Sequence, residues 1–251
     1  MQKIRLTAVT AAAVAIAAVA GCSLFGSDEK ATQPKVGYPW SWIWYAAPSI
    51  SLQAPNAVSV RAWVESATLY DSTRDSYPGF PEATAPALLN GMVGADSQIR
   101  GGGTERYLIR SLTVQGNELR ASLCRDGWDD FDFDDQGRFV DAGTAIATRE
   151  LVMHKGTPSP SISGAAFHAA DPTPSTAGRV PSSTWLKGPT TNVFGGWVAT
   201  SWEAGQYTSD CAAWFKRNHP GLKVPTGFTA EERPNRPASP PPPTLPASPG
   251  W

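Results

Sequence analysis

The chain has 251 residues, with 21 basic and 22 acidic side chains, 23 prolines, 23 glycines, ten tryptophans and three cysteines. A formal net charge of −1 gives no electrostatic footprint for a polyanion and argues against nucleic-acid binding. Hydrophobic residues at 41% and charged residues at 17% supply enough apolar surface for a core, which excludes a wholly disordered chain.

The first segment reads as an address. Lys3 and Arg5 precede an uncharged run from Leu6 to Ala20, the basic and apolar regions of a secretory signal, and the run ends in Val19-Ala20-Gly21-Cys22. That ending resembles a bacterial lipobox. The resemblance implies that residues 1–21 are a signal peptide and that Cys22 becomes the acylated first residue, with thioether-linked diacylglycerol and a palmitate-type chain. An apolar run of roughly 15 residues falls short of the ~20 that a spanning helix needs. Two or three acyl chains anchor far more firmly than one. The expected location is therefore the extracytoplasmic face of the cell membrane, reached through lipid on Cys22. Arginines outnumber lysines two to one, and Ala, Gly and Pro are abundant, as in a high-GC organism such as an actinobacterium.

Residues 22–48 read as a tether and a tryptophan-rich arm. Ser23 to Lys35 is polar and aperiodic, and Trp40, Trp42 and Trp44 then alternate with other residues, so all three share one face of an extended segment. Such a face serves as an interfacial belt or sugar platform, or it packs as an arm or edge strand on the domain. At the other end, residues 227–251 are Pro-rich and contain Pro240-Pro241-Pro242-Pro243, which predicts a disordered or polyproline II tail. Residues 49–226 remain as one domain, without an internal repeat.

Within that domain Val60, Trp63, Val64, Ala67 and Tyr70 make one apolar stripe on a helix, with Asn56 as its cap. Pro81 to Asn90 predicts a short second helix, which Pro86 weakens. After Gly101-Gly102-Gly103 the period changes to two. Tyr107, Ile109, Leu112 and Val114, then Leu119, Ala121 and Leu123, flank a hairpin turn at Gln115-Gly116-Asn117. A second turn lies at Asp134-Asp135-Gln136-Gly137, with strands expected over 144–154 and 193–202. Residues 158–189 are rich in Ser, Thr and Pro and have no assigned strand. Ser209 to Arg217 predicts a short helix, acidic at its start, basic at its end and stopped by Pro220-Gly221.

Helices followed by antiparallel strands predict an α+β domain. The run Leu112-Thr113-Val114 through Cys124-Arg125-Asp126, with Asp135-Gln136-Gly137-Arg138-Phe139-Val140, Arg149-Glu150-Leu151-Val152 and Phe194-Gly195-Gly196-Trp197-Val198, resembles actinobacterial lipoproteins with a nuclear transport factor 2-like (SnoaL-like) domain. The resemblance implies a cone: N-terminal helices packed on a curved, mostly antiparallel sheet. A small β-barrel is the alternative.

Cys124 and Cys211 remain once Cys22 is acylated. Two thiols in an exported protein most economically form one disulfide, here closing a loop of about 86 residues and worth on the order of 4 to 5 kcal/mol. Asp126, Asp129, Asp130, Asp132, Asp134, Asp135 and Asp141 suggest calcium. An EF-hand register starting at Asp132 places Asp134 and Gly137 correctly, but puts Gly143 where a bidentate Glu belongs. The alternative is a hairpin whose alternate aspartates face solvent while Phe131 and Phe133 face the core. His154, His168 and His219 lack zinc spacing, and no Gly-x-Ser-x-Gly, phosphate-loop or dinucleotide motif occurs. Ser27 and Lys30 match Ser-x-x-Lys, but in the tether, where no pocket forms. Cone-fold relatives include isomerases and dehydratases, which makes Tyr70, Asp71 and Tyr107 the nearest catalytic candidates. The leading expectation is a binding module for an envelope protein or an apolar ligand, without assigned catalytic, cofactor or metal residues. A cone-pocket enzyme and a wall- or glycan-associated structural protein are the alternatives.

Overall fold

A computed structural model of the chain describes residues 40–73, 76–92, 101–133, 139–141, 146–156, 188–222 and 244–251. Cys22, Ser27, Lys30, His168, Asp134, Asp135 and the stretch 158–187 lie outside these residues. The described elements run β1 (Trp40–Ala46), α1 (Pro55–Thr73), α2 (Pro86–Gly91), β2 (Gly101–Gln115), β3 (Glu118–Phe133), β4 (Phe139–Asp141), β5 (Ala147–Lys155), β6 (Trp197–Ala204) and α3 (Ser209–Asn218). The fold is α+β. Its mixed sheet has the order β1-β2-β3-β5-β6, with β4 pairing the far end of β3.

The centre is the long β2–β3 hairpin. Gln115 pairs with Glu118 across Gly116-Asn117, and Gly116 takes φ +59°, the left-handed geometry that two-residue hairpin turns require. Two register shifts bend the ladder, one between Thr104 and Arg106 and one between Ile109 and Ser111. The second keeps Ile109 opposite Leu123 and Leu112 opposite Ala121, so strands with different apolar spacing share one inner face. β5 and β6 extend the sheet antiparallel beyond β3.

β1 adds on the other side and runs parallel to β2, with Trp42 opposite Glu105 and Trp44 opposite Tyr107. Trp42 and Trp44 are buried and Trp40 is half-buried. The tryptophan-rich arm is thus the edge strand of the sheet with its tryptophans packed on the domain, one of the two readings of its shared face, and the folded body begins before residue 49. The predicted tail also differs over its last eight residues. Ser248 bridges Ile43 on the free edge of β1, with Trp44 N–H donating to Ser248 O (2.6 Å) and Ser248 N–H to Trp42 O (3.1 Å). A proline-rich segment can do this because one non-proline residue supplies both main-chain groups.

Helix α1 lies on the face that carries Trp44, Tyr107, Ile109, Leu123 and Leu151. The predicted stripe is present, yet residues 59–67 are all buried, including Ser59, Arg61, Glu65 and Ser66. Chain from elsewhere covers the helix side away from the sheet. Ser59 Oγ donates to Val193 O (3.1 Å), Ser66 Oγ accepts from Tyr77 N–H (3.2 Å), and Arg61 Nη2 donates to Pro249 O (2.9 Å). Pro55 opens the helix and Asn56 falls inside it, where its side chain accepts from Trp197 Nε1 (3.1 Å) instead of capping. The second helix starts at Pro86, not Pro81. A proline is favourable in a first turn, and residues 78–83 form turns instead.

The opposite face carries α3. Cys211, Trp214 and Phe215, spaced as one helical stripe, pack with Cys124, Ile146, Leu108 and Trp128. A disulfide joins Cys124 to Cys211, with the Cα atoms 5.6 Å apart. Lys216 and Arg217 in the last turn complement the helix dipole, and Asp210 in the first turn pairs with Arg110 (2.8 Å).

Candidate functional site

Two glutamates, Glu65 and Glu105, are buried between α1 and the sheet, beside an apolar core rich in aromatic rings. Glu105 occupies an inner position of β2, between Gly103 and Tyr107, and is completely buried. The parallel register brings Trp42 alongside, and its Nε1 donates to Glu105 Oε2 (2.9 Å). Tyr107 OH donates to the same oxygen (3.1 Å). Arg125, the next inner residue of β3 after Leu123, donates to Oε1 through Nε (2.9 Å) and Nη2, and Nη2 also reaches Asp130 Oδ2 (3.3 Å). Burial alone would raise the Glu105 pKa. The Arg125 charge and hydrogen bonds, helped by Trp42 and Tyr107, outweigh it and hold the carboxylate below its ordinary value. Asp130 goes the other way: burial first and the Glu105 charge second push it well up, and its Oδ1 has no hydrogen-bond partner.

Glu65 is the second carboxylate. Its Oε1 accepts from Trp44 Nε1 (2.7 Å), and its Oε2 accepts from Tyr77 OH (2.5 Å) and Trp251 Nε1 (2.7 Å). Burial raises its pKa, against those three donors and the Arg61 charge. Burial, followed by the Glu65 charge, raises Tyr77 well above its ordinary value. Trp44 connects the two centres, since its ring stacks on Tyr107 with centroids 4.8 Å apart while its N–H serves Glu65.

Asp130, expected to face solvent by its alternation with Phe131, is buried, as is Asp126, and Asp126, Asp129 and Asp130 each have polar partners. Asp126 Oδ2 meets His219 Nε2 (2.9 Å) and Asn218 Nδ2 (3.3 Å), Asp129 pairs with Arg106 (2.7 Å), and Asp130 faces Arg125. The reason is the sequence of cations opposite them: Arg106 pairs with Asp126 across β2–β3, and α3 is held over the same strand by the disulfide. Phe131 is buried as expected, and Asp132 and Asp141 lie on β3 and β4. Among the described residues no three His, Cys, Asp or Glu side chains are grouped to hold a metal ion.

Of the catalytic candidates, Tyr107 joins Glu105, Tyr70 packs on Phe80 (5.6 Å between ring centroids), and Asp71 is exposed on α1. His154 is an exposed partner of Glu118. A separate surface cleft is lined by Gly79, Glu82, Asn192, Phe194, Trp197 and neighbouring residues, and Glu82 is the one ionisable lining group among the described residues. Sequence reasoning passed over Glu65, Glu105 and Arg125. A signal was present: Glu105 precedes Tyr107 and Ile109 in period two, Arg125 follows Leu119, Ala121 and Leu123, and Glu65 lies within the 60–67 stripe.

Fold and interior together define an α+β protein, stapled by a disulfide, whose two buried glutamates, Glu65 and Glu105, accept hydrogen bonds from its own tryptophans. Comparison with protein-family models, curated proteins and solved structures finds no match for this chain.

Proposed function

We propose that this is a lipid-anchored protein of the bacterial cell envelope, held through Cys22 at the outer face of the cytoplasmic membrane, and that its α+β body acts as a binding module. The observation that carries the export reading is the Cys124–Cys211 disulfide, a bond that persists in oxidising compartments and is rare in the cytosol. It agrees with the basic, apolar and small-residue order that ends at Cys22.

Binding is favoured over catalysis by how Glu65 and Glu105 are used, while Asp130, whose Oδ1 is unpartnered, is buried and does not line the described cleft. Each oxygen of Glu65 and Glu105 already accepts hydrogen bonds from the protein's own Trp, Tyr or Arg donors. A general acid or base must instead present its oxygen to a substrate proton. A nuclear transport factor 2-like cone is part of the proposal. The bent β2–β3 hairpin with α1 across its inner face supports it, while the parallel β1 and α3 on the opposite face are additions to a simple cone.

The anchoring claim is tested by Cys22→Ala. The variant is expected to lose metabolic lipid labelling and to accumulate as a larger precursor; unchanged labelling and unchanged membrane recovery would overturn it.

A further inference from the structure

The free edge of β1 and the buried groups beside it form a socket, and residues 244–251 fill it. At the edge itself Ser248 exchanges two main-chain hydrogen bonds with Trp42 and Trp44, and three residues earlier Leu245 N–H donates to the side-chain Oγ1 of Thr104 on β2 (2.9 Å). At the end the contacts become specific to one side chain. Trp251 Nε1 donates to Glu65 Oε2 (2.7 Å), the Arg61 guanidinium lies 4.4 Å over its ring, and Tyr77 meets it edge-on at 5.8 Å. Arg61 Nη2 also donates to Pro249 O (2.9 Å).

Socket and occupant are built differently. Arg61, Glu65 and Tyr77 are 1%, 2% and 1% exposed, whereas Trp251 is 37% exposed, so a deeply fixed set of polar groups receives a side chain whose outer part stays in water. Arg61 and Glu65 lie one turn apart on α1, and the rest of the body satisfies each in part: Arg61 Nη1 donates to Leu52 O (3.2 Å), and Glu65 accepts from Trp44 and Tyr77. Their desolvation is recovered partly through the occupant, by the Pro249 carbonyl for one and the Trp251 indole for the other. Arg61 Nε, also buried, has no hydrogen-bond partner even with the segment in place. Strand addition at a sheet edge plus a pocket for one side chain is a recurring mode of peptide recognition.

We propose that the β1 edge together with the Arg61–Glu65–Tyr77 socket is a recognition site for an extended peptide bearing a tryptophan, and that residues 244–251 are its intramolecular occupant. The main-chain contacts at Ser248 accept many sequences, whereas the socket demands an aromatic ring with an N–H donor. Because the occupant belongs to the same chain, an incoming peptide competes against an effective concentration on the order of millimolar. Wild-type protein is thus largely closed to the peptide, and weakening the resident tryptophan opens it. The inference deepens the reading of the body as a binding module and rests on that reading; it does not depend on the lipid anchor.

The test uses the full chain and a fluorescent peptide with the 244–251 sequence and both ends blocked, read by anisotropy. Trp251→Ala is expected to bind the peptide at least tenfold more tightly than wild type. Replacing the peptide's tryptophan by 1-methyltryptophan, which keeps the ring and removes the donor, is expected to lower affinity at least tenfold. Adding Glu65→Gln to Trp251→Ala is expected to weaken binding again. If Trp251→Ala does not fold, Trp251→Phe keeps the ring, lacks the donor, and must still bind more tightly than wild type. A folded Trp251→Ala or Trp251→Phe protein with wild-type affinity, or no measurable affinity, overturns the proposal and makes the segment a fixed part of the fold. That result would remove the peptide site alone and leave the binding-module reading standing on other surfaces, such as the cleft lined by Gly79, Glu82 and Asn192, so the two failures are distinguishable.

Discussion

Replacing Arg125 by methionine tests the interior network most sharply. Arg125 neutralises Glu105, which is completely buried, and reaches Asp130, which is nearly so. Removing one partner of a buried ion pair costs roughly 3–5 kcal/mol, because the other charge stays buried without compensation. The Arg125 side chain is 21% exposed, so water screens part of the pair, and about 2–4 kcal/mol is the expected loss at pH 7. Glu105→Gln should cost less, about 1–2 kcal/mol. Its amide oxygen still accepts from Trp42 and Tyr107, and Asp130 remains beside Arg125. The double variant should then cost at least ~1 kcal/mol less than the two single losses together, since each removes the same interaction. pH supplies a second check. Arg125 holds Glu105 below its ordinary pKa, so this stabilisation is complete above the ordinary glutamate value and is lost as pH falls through the depressed folded value. The gap between wild type and Arg125→Met should therefore narrow in acid. Urea unfolding followed by tryptophan fluorescence at neutral and acid pH measures both effects. A loss under about 1 kcal/mol for Arg125→Met, or strict additivity in the double variant, would refute the reasoning.

Three further outcomes follow from the same structure. Replacing Cys124 and Cys211 by alanine should cost about 4 to 5 kcal/mol in the chain-entropy account, for a sequence separation of 87, and the loss should disappear when wild type is measured in reductant. Glu65 carries a raised pKa, chiefly from burial, so its contribution has the opposite sign to that of Glu105. Stability declines as pH rises from the ordinary glutamate value towards the raised folded one, and the urea midpoint of Glu65→Gln should lack that part of the slope; identical slopes would contradict the assignment. Gly103→Ala should lower the melting temperature by an amount equivalent to about 1–3 kcal/mol, because Gly103 has φ +113° and a Cβ there would lie 2.1 Å from Asp129 O. Gly91→Ala, where a Cβ meets open space, is the control and should melt near wild type.

The elements that were legible in the sequence are those whose pattern is local. The α1 stripe, the Gly116-Asn117 turn between alternating strands and the acid-to-base order of α3 each need only neighbouring residues to be read. Two cysteines left after Cys22 gave the disulfide by elimination. What escaped was set by distant chain. Asn56 looked like a cap until Trp197 reached it from 141 residues away, and a run of prolines looked like a tail until Ser248 met β1. Glu65, Glu105 and Arg125 were visible as charges at inward positions of apolar patterns. Trp42 could not be paired with Glu105 before the parallel β1–β2 register was known, and Trp44 and Trp251 meet Glu65 only once α1 and residues 244–251 lie beside β1.

The central claim is that this is an exported, lipid-anchored protein with an oxidised α+β body, and intact-mass spectrometry of the protein recovered from the cell envelope tests it most directly. The account predicts a chain that starts at Cys22, carries the added mass of its acyl chains there, and gains two hydrogens on reduction as the Cys124–Cys211 bond opens. An unmodified chain that retains residues 1–21, with free thiols at Cys124 and Cys211, would contradict it.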